Sequence, residues 1–263
     1  MNKKKRVVFC TYPCLYSDIV LNEILRAPDI EVVSVVVSTR NLQIKENKLF
    51  SDLKRLKESG LRYSLYLLFV TQAYKLFPQI FNEQATLKAL CEQHHIPILF
   101  TSDINSTEVQ AQLQSLDPDI IFCAHFNQRL HPSTYRLARC AAINLHPSLL
   151  PDLKGVDPAF YALKENYRVT GVTIHHLAET FDTGEVISQK QQIIEIHDTL
   201  LSLNKKLFRE GAQLLVKYLS GKEKRDHSSA PKSTGRYDSW PSKESVREFK
   251  KYRNFIFLNR LFR

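Results

Sequence analysis

The chain of 263 residues lacks the glycine-rich phosphate loops that mark many nucleotide-binding proteins. It has only seven glycines, and none of them lies in the turn after the first apolar run, where residues 10–17 read CTYPCLYS. Neither a G-x-G-x-x-G pattern nor a P-loop can therefore form at that turn. The sequence argues against a dehydrogenase that cradles a dinucleotide.

Cysteine is also scarce and shows no metal or redox spacing. The odd number of cysteines and the absence of any C-x-x-C pair predict buried thiols in a reducing compartment rather than disulfides. These cysteines are Cys10, Cys14, Cys91, Cys123 and Cys140. The apolar run after the basic N-terminus is too short for a signal peptide, so we expect a cytoplasmic protein.

Acidic residues are outnumbered, which gives a formal net charge of +10. This charge favours an anionic partner, either nucleic acid, a phosphorylated metabolite or an acidic membrane surface, although it can also serve solubility alone. Much of the excess lies at the two ends, in residues 3–6 and 243–263. No dedicated nucleic-acid motif is visible, so contact with nucleic acid or membrane through these ends is only one interpretation.

The hydrophobic content of 43% is enough for a full core, and its pattern alternates between strand and helix. Short β-branched or apolar runs predict strands at 6–10, 31–38, 96–100, 119–124 and 141–147. Helical spacing predicts helices at 17–26, 83–95, 107–116, 133–139 and 199–219, the last capped by Asp198, and another from Ser242 onward. This order is typical of βα units around a parallel sheet.

Two later runs have a different pattern. Residues 168–177 and 184–194 alternate between apolar and polar side chains, as half-exposed antiparallel strands do. The predicted fold class is therefore α/β, with a Rossmann-like, doubly wound and mostly parallel sheet that gains antiparallel strands in its C-terminal half.

Two segments interrupt this organisation. Residues 41–81 are basic and amphipathic, but too polar for a membrane span. They fit an insertion that packs on the domain or on a second subunit, as in a homodimer, or else a membrane-surface element or a substrate lid. Beyond Ser220 the composition shifts to Lys, Ser, Pro and Gly, so we expect one domain over 1–220 and a basic tail with a helix over 221–263.

Three polar residues in the later half can form an oxyanion site. Asn144 and His146 lie two positions apart at the end of an apolar run, so their side chains leave a strand from the same face. Asp182 lies in a tight polar loop between the two alternating runs. With no Ser or Cys nucleophile in evidence, an amide, an imidazole and a carboxylate suit direct acyl transfer, because amide and imidazole can both donate to the developing oxyanion.

The same residues belong to a longer signature. Residues 143–155 read INLHPSLLPDLKG, 171–177 read GVTIHHL and 181–187 read FDTGEVI. In this order they resemble the signature of the folate-dependent formyltransferases, the family of the methionyl-tRNA, glycinamide ribonucleotide and sugar N-formyltransferases. The likeness covers residues 6–219 and is strongest after Pro118.

The resemblance implies 10-formyltetrahydrofolate as formyl donor, an amine as acceptor and the formyltransferase fold. It implies that Asn144 stabilises the oxyanion, that His146 acts as acid or electrostatic partner, and that Asp182 holds His146 and assists proton movement. It also implies a folate pocket formed by two segments, Phe126, Asn127, Gln128, Arg129 and Leu130, and Leu177, Ala178, Glu179, Thr180 and Phe181.

Four further residues lie within this signature or close to it. Thr173 and His175 are expected to line or support the site, and no metal is expected because His175 and His176 leave a strand on opposite faces without carboxylate or Cys ligands nearby. Lys154 and Asp157 can touch the acceptor or remain solvated loop charges.

The chain also departs from the family pattern. Its first turn lacks the glycines with which glycinamide ribonucleotide formyltransferase grips a phosphate, and residues 221–263 are too few for the tRNA-holding domain of methionyl-tRNA formyltransferase. We expect an N-formyltransferase for a small or nucleotide-linked, anionic amine such as an amino sugar. The alternatives are a methionyl-tRNA-type enzyme without that domain, a 10-formyltetrahydrofolate hydrolase, or a membrane-surface binding protein that retains the fold.

Overall fold

The chain forms a mixed sheet flanked by helices, in a computed structural model that describes residues 3–40, 48–76, 85–222 and 235–256. The strands of the main sheet are β1 (Lys5–Thr11), β2 (Ile30–Ser38), β3 (Ile98–Thr101), β4 (Ile120–Ala124), β5 (Ala141–His146), β7 (Val169–His176) and β8 (Val186–Ile193). A smaller sheet pairs β6 (Lys154–Gly155) with β9 (Tyr237–Asp238).

The strand order of the main sheet is β3-β2-β1-β4-β5-β7-β8. The first five strands in this order pair in parallel, and β7 and β8 add antiparallel pairs. This confirms the predicted fold class. The chain moves outward from β1 to β3 and then returns to the other side of β1, and ligands bind at such reversals in open sheets.

Helices cover the sheet on both faces. They are α1 (Leu15–Leu25), α2 (Lys48–Thr71), α3 (Leu87–Gln93), α4 (Thr107–Ser115), α5 (Pro132–Tyr135), α6 (Pro158–Lys164), α7 (Leu200–Leu219) and α8 (Lys243–Tyr252). Along β1, Val7 and Phe9 enter the apolar cluster that contains α1 and α7 residues, whereas Val8 and Cys10 enter the cluster that contains α4 residues. Strand side chains alternate in direction, so each face of β1 has its own core.

The cap of α7 differs from the prediction by one residue. Thr199, not Asp198, is the N-cap: its hydroxyl accepts from Ser202 N, and the Ser202 hydroxyl accepts from Thr199 N. Asp198 instead accepts from Glu195 N and from the ammonium of Lys206. Asp and Thr are both good caps, so only the three-dimensional contacts decide between neighbours.

Other boundaries shift by a few residues, as helix and strand ends commonly do. The helix predicted over 133–139 is shorter (α5), the strand predicted over 96–100 is β3, and the helix predicted over 83–95 is α3, whose N-cap is Thr86. Residues 83–84 lie outside the described chain. Four of the cysteines are buried as expected, but Cys140 is exposed because it lies between α5 and β5 rather than inside a strand.

The segment predicted as an insertion contains α2, which is interrupted at Gly60, where φ is +81°. A 3-10 turn, Ala73–Leu76, follows it. Residues 41–47 and 77–81 of the predicted segment lie outside the described chain. Where the structure describes the chain, no helix is long and apolar enough to cross a bilayer.

The described C-terminal residues pack on the rest of the molecule. Ser242 caps α8, and Phe249 of this helix is buried in the main cluster against Phe160, with ring centroids 4.8 Å apart. Asn254 O and Phe255 O accept from the first free amides of α7. The division expected at residue 220 stays a prediction, and residues 223–234 and 257–263 are outside the described chain.

Candidate active site

Asn144 and His146 lie at the carboxyl end of β5, as predicted. In the antiparallel pairing with β7, Asn144 is opposite His175 and His146 is opposite Thr173. The prolines that follow β5 end the strand, because proline cannot donate to a sheet. This places an amide and three other polar side chains together at one edge of the sheet.

His146 is almost fully buried between two oxygen atoms. Its Nδ1 lies 3.3 Å from Oδ1 of Asp182, and its Nε2 donates to Leu153 O at 3.0 Å. The imidazole and the carboxylate are only 4% and 8% exposed. Both ring nitrogens therefore contact oxygen atoms of the protein.

Asp182 is held by backbone geometry as well as by histidine. Its Oδ2 accepts from Gly155 N at 2.9 Å, and the residue itself has φ of +57°. Gly155 has φ of +102°, and a Cβ there would lie 2.2 Å from Asp238 O. The carboxylate thus depends on a glycine that the β6–β9 pair holds in place.

His175 anchors the amide of Asn144. Nδ1 of His175 donates to the His176 carbonyl at 2.8 Å, so Nε2 is free to accept from Nδ2 of Asn144 at 3.1 Å. Burial lowers the pKa of His175 to about 4, against the opposing effect of the Asp182 carboxylate. The neutral imidazole therefore fixes which amide atom of Asn144 points toward it.

Thr173 supports the loop that follows His146. Its hydroxyl donates to Ser148 O at 2.6 Å and accepts from Leu150 N at 3.1 Å. The side-chain amide of Gln189 also donates to it at 2.9 Å. Thr173 is fully buried, so its role in the structure is to hold the loop.

The structure brings the two predicted folate segments together. Phe126 and Leu177 both pack on the same apolar cluster, and the Arg129 guanidinium donates to Glu179 O at 3.4 Å. On the second segment, Thr180 and Phe181 are exposed. The two segments therefore lie next to each other on the side of the sheet that carries this cluster.

Two side chains of the first segment are buried inside the protein, and a third has a buried oxygen atom without a hydrogen-bond partner. The amide of Gln128 is buried and bonded to Ser38 Oγ, Thr101 O and Ile104 N, so this side chain has a structural role. Leu130 is buried in the core. The amide of Asn127 donates to Arg40 O, but its Oδ1 is buried without a hydrogen-bond partner.

A second group of polar side chains lies where the strand order reverses. Nδ1 of His125, directly after β4, lies 3.4 Å from Sγ of Cys14, the residue before α1. The neighbouring Cys14 raises the pKa of His125, and His125 in turn lowers the pKa of Cys14. Cys14 is fully buried, whereas His125 is exposed beside the ring of Tyr12.

Lys154 and Asp157 differ in surroundings. Lys154 is 4% exposed. Asp157 accepts from the hydroxyl of Tyr63 at 2.8 Å and lies 3.4 Å from the amide of Asn204. Burial raises the pKa of Asp157, although both of these donors act to lower it. Within the described ranges, no group of three or more His, Cys, Asp or Glu residues could hold a metal ion.

A family model described as Formyl transferase matches residues 47–219, more than half of the chain. The chain belongs to the formyl transferase family. The resemblance read from residues 143–155, 171–177 and 181–187 is confirmed.

Curated relatives of this chain include methionyl-tRNA formyltransferases. The protein of Nitrosomonas eutropha is 34% identical over 138 residues, which are 52% of this chain and 44% of the relative. The protein of Nitrosomonas europaea is 33% identical over 169 residues, or 64% of this chain and 51% of the relative. The chain therefore spans about half the length of the curated relatives it matches.

Solved structures share the fold at lower identity. Glycinamide ribonucleotide transformylase 1 from Symbiobacterium toebii has a TM-score of 0.57 at 14% identity, covering 86% of this chain and 93% of its own. An N-formyltransferase from Helicobacter canadensis, solved with folinic acid and dTDP-3-aminofucose, has a TM-score of 0.58 at 16% identity, covering 97% and 82%. A formyltetrahydrofolate deformylase from Pseudomonas syringae has a TM-score of 0.57 at 18% identity, covering 86% and 65%.

Several contacts of this site were not predicted from the sequence. The link from Gly155 N to Asp182 and the link from Tyr63 to Asp157 join residues far apart in the chain, and no local pattern marks them. Gly155 is a partial signal for the first of these links, because glycine commonly occupies positions where the backbone is left-handed.

Proposed function

We propose that this protein transfers a formyl group from 10-formyltetrahydrofolate to an amine. The observation that carries the proposal is the convergence of Asn144, His146 and Asp182 at one edge of the sheet, in a chain of the formyl transferase family. Direct transfer needs donors aimed at the developing oxyanion and a path for one proton.

Asn144 is the residue we assign to the oxyanion. A primary amide has two N–H groups, and His175 accepts only one of them. The other can donate to the formyl oxygen as negative charge develops there. Because His175 holds the amide before the reaction begins, the donor needs little reorganisation.

His146 and Asp182 supply charge and a proton acceptor. Because both ring nitrogens of His146 already contact protein oxygen atoms, we assign the ring an electrostatic role rather than proton donation. In the transfer, the acceptor nitrogen bonds to the formyl carbon while the bond from that carbon to the donor nitrogen breaks. The acceptor nitrogen gives a proton to Asp182, directly or through water, and Asp182 returns that proton to the donor nitrogen.

The folate is assigned to the cleft between residues 126–130 and 177–181. The buried and unpartnered Oδ1 of Asn127 fits this assignment, because a pterin ring carries N–H donors that can satisfy it. The apolar side chains of Phe126 and Leu177 can flank the ring. Gln128 contributes through its backbone alone, since its side-chain amide is already bonded.

The acceptor is assigned to the crevice near Tyr12 and His125. Ala124 pairs with Leu145, so the chain after β4 leaves the sheet beside the end of β5, near His146. The first turn has no glycine cradle, and the raised pKa of His125 suits an anionic group on the acceptor. We therefore assign a small amine, such as a nucleotide-linked amino sugar, to this crevice. The Helicobacter canadensis protein was solved with such a compound.

The experiment is to titrate the purified protein with a folate and then assay a panel of amines with 10-formyltetrahydrofolate. We expect folate binding and a formamide product detected by mass spectrometry for one class of amine. A protein that binds no folate at all would overturn the proposal, and Asn127→Leu is expected to weaken folate binding.

A second candidate activity is hydrolysis of 10-formyltetrahydrofolate to formate. The fold shared with a protein named formyltetrahydrofolate deformylase favours this candidate, because the same three residues can direct water instead of an amine. Release of formate at the full rate without any added amine would identify it.

A further inference from the structure

The outward side of the helical segment 61–76 carries leucines where a surface helix normally carries polar residues. Leu61, Leu65, Leu68 and Leu76 are 60%, 52%, 54% and 76% exposed. The first three recur at spacings of four and three, so they form one row along the helix. We call the exposed residues of this segment the outer face; they are Leu61, Arg62, Leu65, Leu68, Gln72, Lys75 and Leu76.

The opposite side of the segment is fixed to the protein. Tyr63, Tyr66, Val70 and Tyr74 are buried. The hydroxyl of Tyr63 donates to Asp157, and the hydroxyl of Tyr66 accepts from Asn204 at 3.2 Å.

Asp18 secures the end of the segment. Its carboxylate accepts from the Tyr74 hydroxyl and from Leu87 N. The helix therefore cannot rotate to bury its leucines, and the outer face remains presented to whatever lies outside the molecule.

The charge on the outer face has one sign. Residues 61–76 contain Arg62 and Lys75 but no Asp or Glu. In a two-fold dimer through this face, each face would meet its own copy, so cations would oppose cations. A partner with negative charge and an apolar interior satisfies the leucines and the cations together.

We propose that the outer face binds the surface of a bilayer that contains anionic lipid. The leucine row enters the boundary between headgroups and acyl chains, and Arg62 and Lys75 contact lipid phosphates. The net charge of +10 attracts the whole molecule to such a surface. Association of this kind is reversible.

The experiment is co-sedimentation of the whole chain with phosphatidylcholine vesicles, with and without phosphatidylglycerol. We expect binding to the anionic vesicles that falls as sodium chloride rises, and little binding to phosphatidylcholine alone. Leu65→Glu with Leu68→Glu should weaken binding by about tenfold or more, and Arg62→Gln with Lys75→Gln by about tenfold. All four positions are exposed, so the fold should persist, which circular dichroism checks.

Ile196→Glu is the matched control, because Ile196 is 81% exposed and does not belong to the outer face. It should bind as the native protein does. Failure of the native protein to sediment with anionic vesicles would overturn the proposal. So would equal binding by Leu65→Glu/Leu68→Glu, or a dimer in solution that this double variant abolishes.

Discussion

Nδ2 of Asn144 donates to Nε2 of His175 at 3.1 Å, across the antiparallel pair of β5 and β7. His175 can accept this bond only while it is neutral, and its burial ensures that state near neutral pH. The residue proposed to stabilise the oxyanion is therefore positioned by a second residue that need not touch the substrate.

Replacing His175 with Leu should lower kcat without a comparable change in folate affinity. The amide of Asn144 loses its partner and no longer keeps its direction, and loss of one oxyanion donor costs about a hundredfold or more in kcat. His197→Asn, an exposed histidine, should leave kcat unchanged. A fall in folate affinity with kcat preserved would contradict the positioning role.

The stability of the protein should depend on pH through His175. Its pKa is about 4 in the folded state and 6.5 as an ordinary value, so the unfolded chain binds more protons between these limits. The contribution of His175 is therefore fully present above pH 6.5 and is lost as pH falls toward 4. The free energy of unfolding in urea, measured at a series of pH values for the native protein and for His175→Gln, gives this contribution. The same pH dependence in both proteins would refute the prediction.

Gly155→Ala should disrupt the site through the backbone. A Cβ at residue 155 meets Asp238 O at 2.2 Å in a left-handed conformation, and such strain costs about 1–3 kcal/mol or more. The amide that holds Asp182 moves with it, so activity should fall as well. Gly221→Ala is the matched control, since Gly221 also has positive φ but has no atom near its added Cβ. Equal effects of the two changes on activity would show that Gly155 does not support Asp182.

Tyr63→Phe should weaken the attachment of α2 to Asp157, the residue before α6. The hydroxyl of Tyr63 donates to the half-buried carboxylate of Asp157, and hydrogen bonds to charged groups contribute about 1.5–3 kcal/mol. Tyr167→Phe, a change at a partly buried tyrosine, should alter the free energy of unfolding by less than about 0.5 kcal/mol. Equal denaturant midpoints for the native protein and Tyr63→Phe would contradict the prediction.

Local pattern predicted much of the fold. The β-branched runs of β1, β2 and β4 and the alternation of β7 and β8 are properties of short segments, so these strands could be predicted, whereas their order in the sheet required the structure. The cap of α7 could not be decided between Asp198 and Thr199, because both residue types cap helices and the choice depends on Lys206 and Ser202.

The relative positions of site residues could be predicted only where those residues lie on one segment. Asn144 and His146 lie on one strand, and their side chains share a face for that reason. The buried amide of Gln128 and the tyrosines of α2 depend on contacts between distant segments, such as Tyr63 with Asp157. Sequence spacing therefore predicted that Asn144 and His146 share one face, while the groups that hold them required the three-dimensional structure.

The most direct test follows an isotopically labelled formyl group from 10-formyltetrahydrofolate in the presence of the protein and the amine panel, with Asp182→Asn as the comparison. The account predicts that the native protein moves the label to an amine as a formamide and that Asp182→Asn binds folate but transfers the label far more slowly. Retention of the label on the folate with the native protein, or equal transfer by Asp182→Asn, would contradict it.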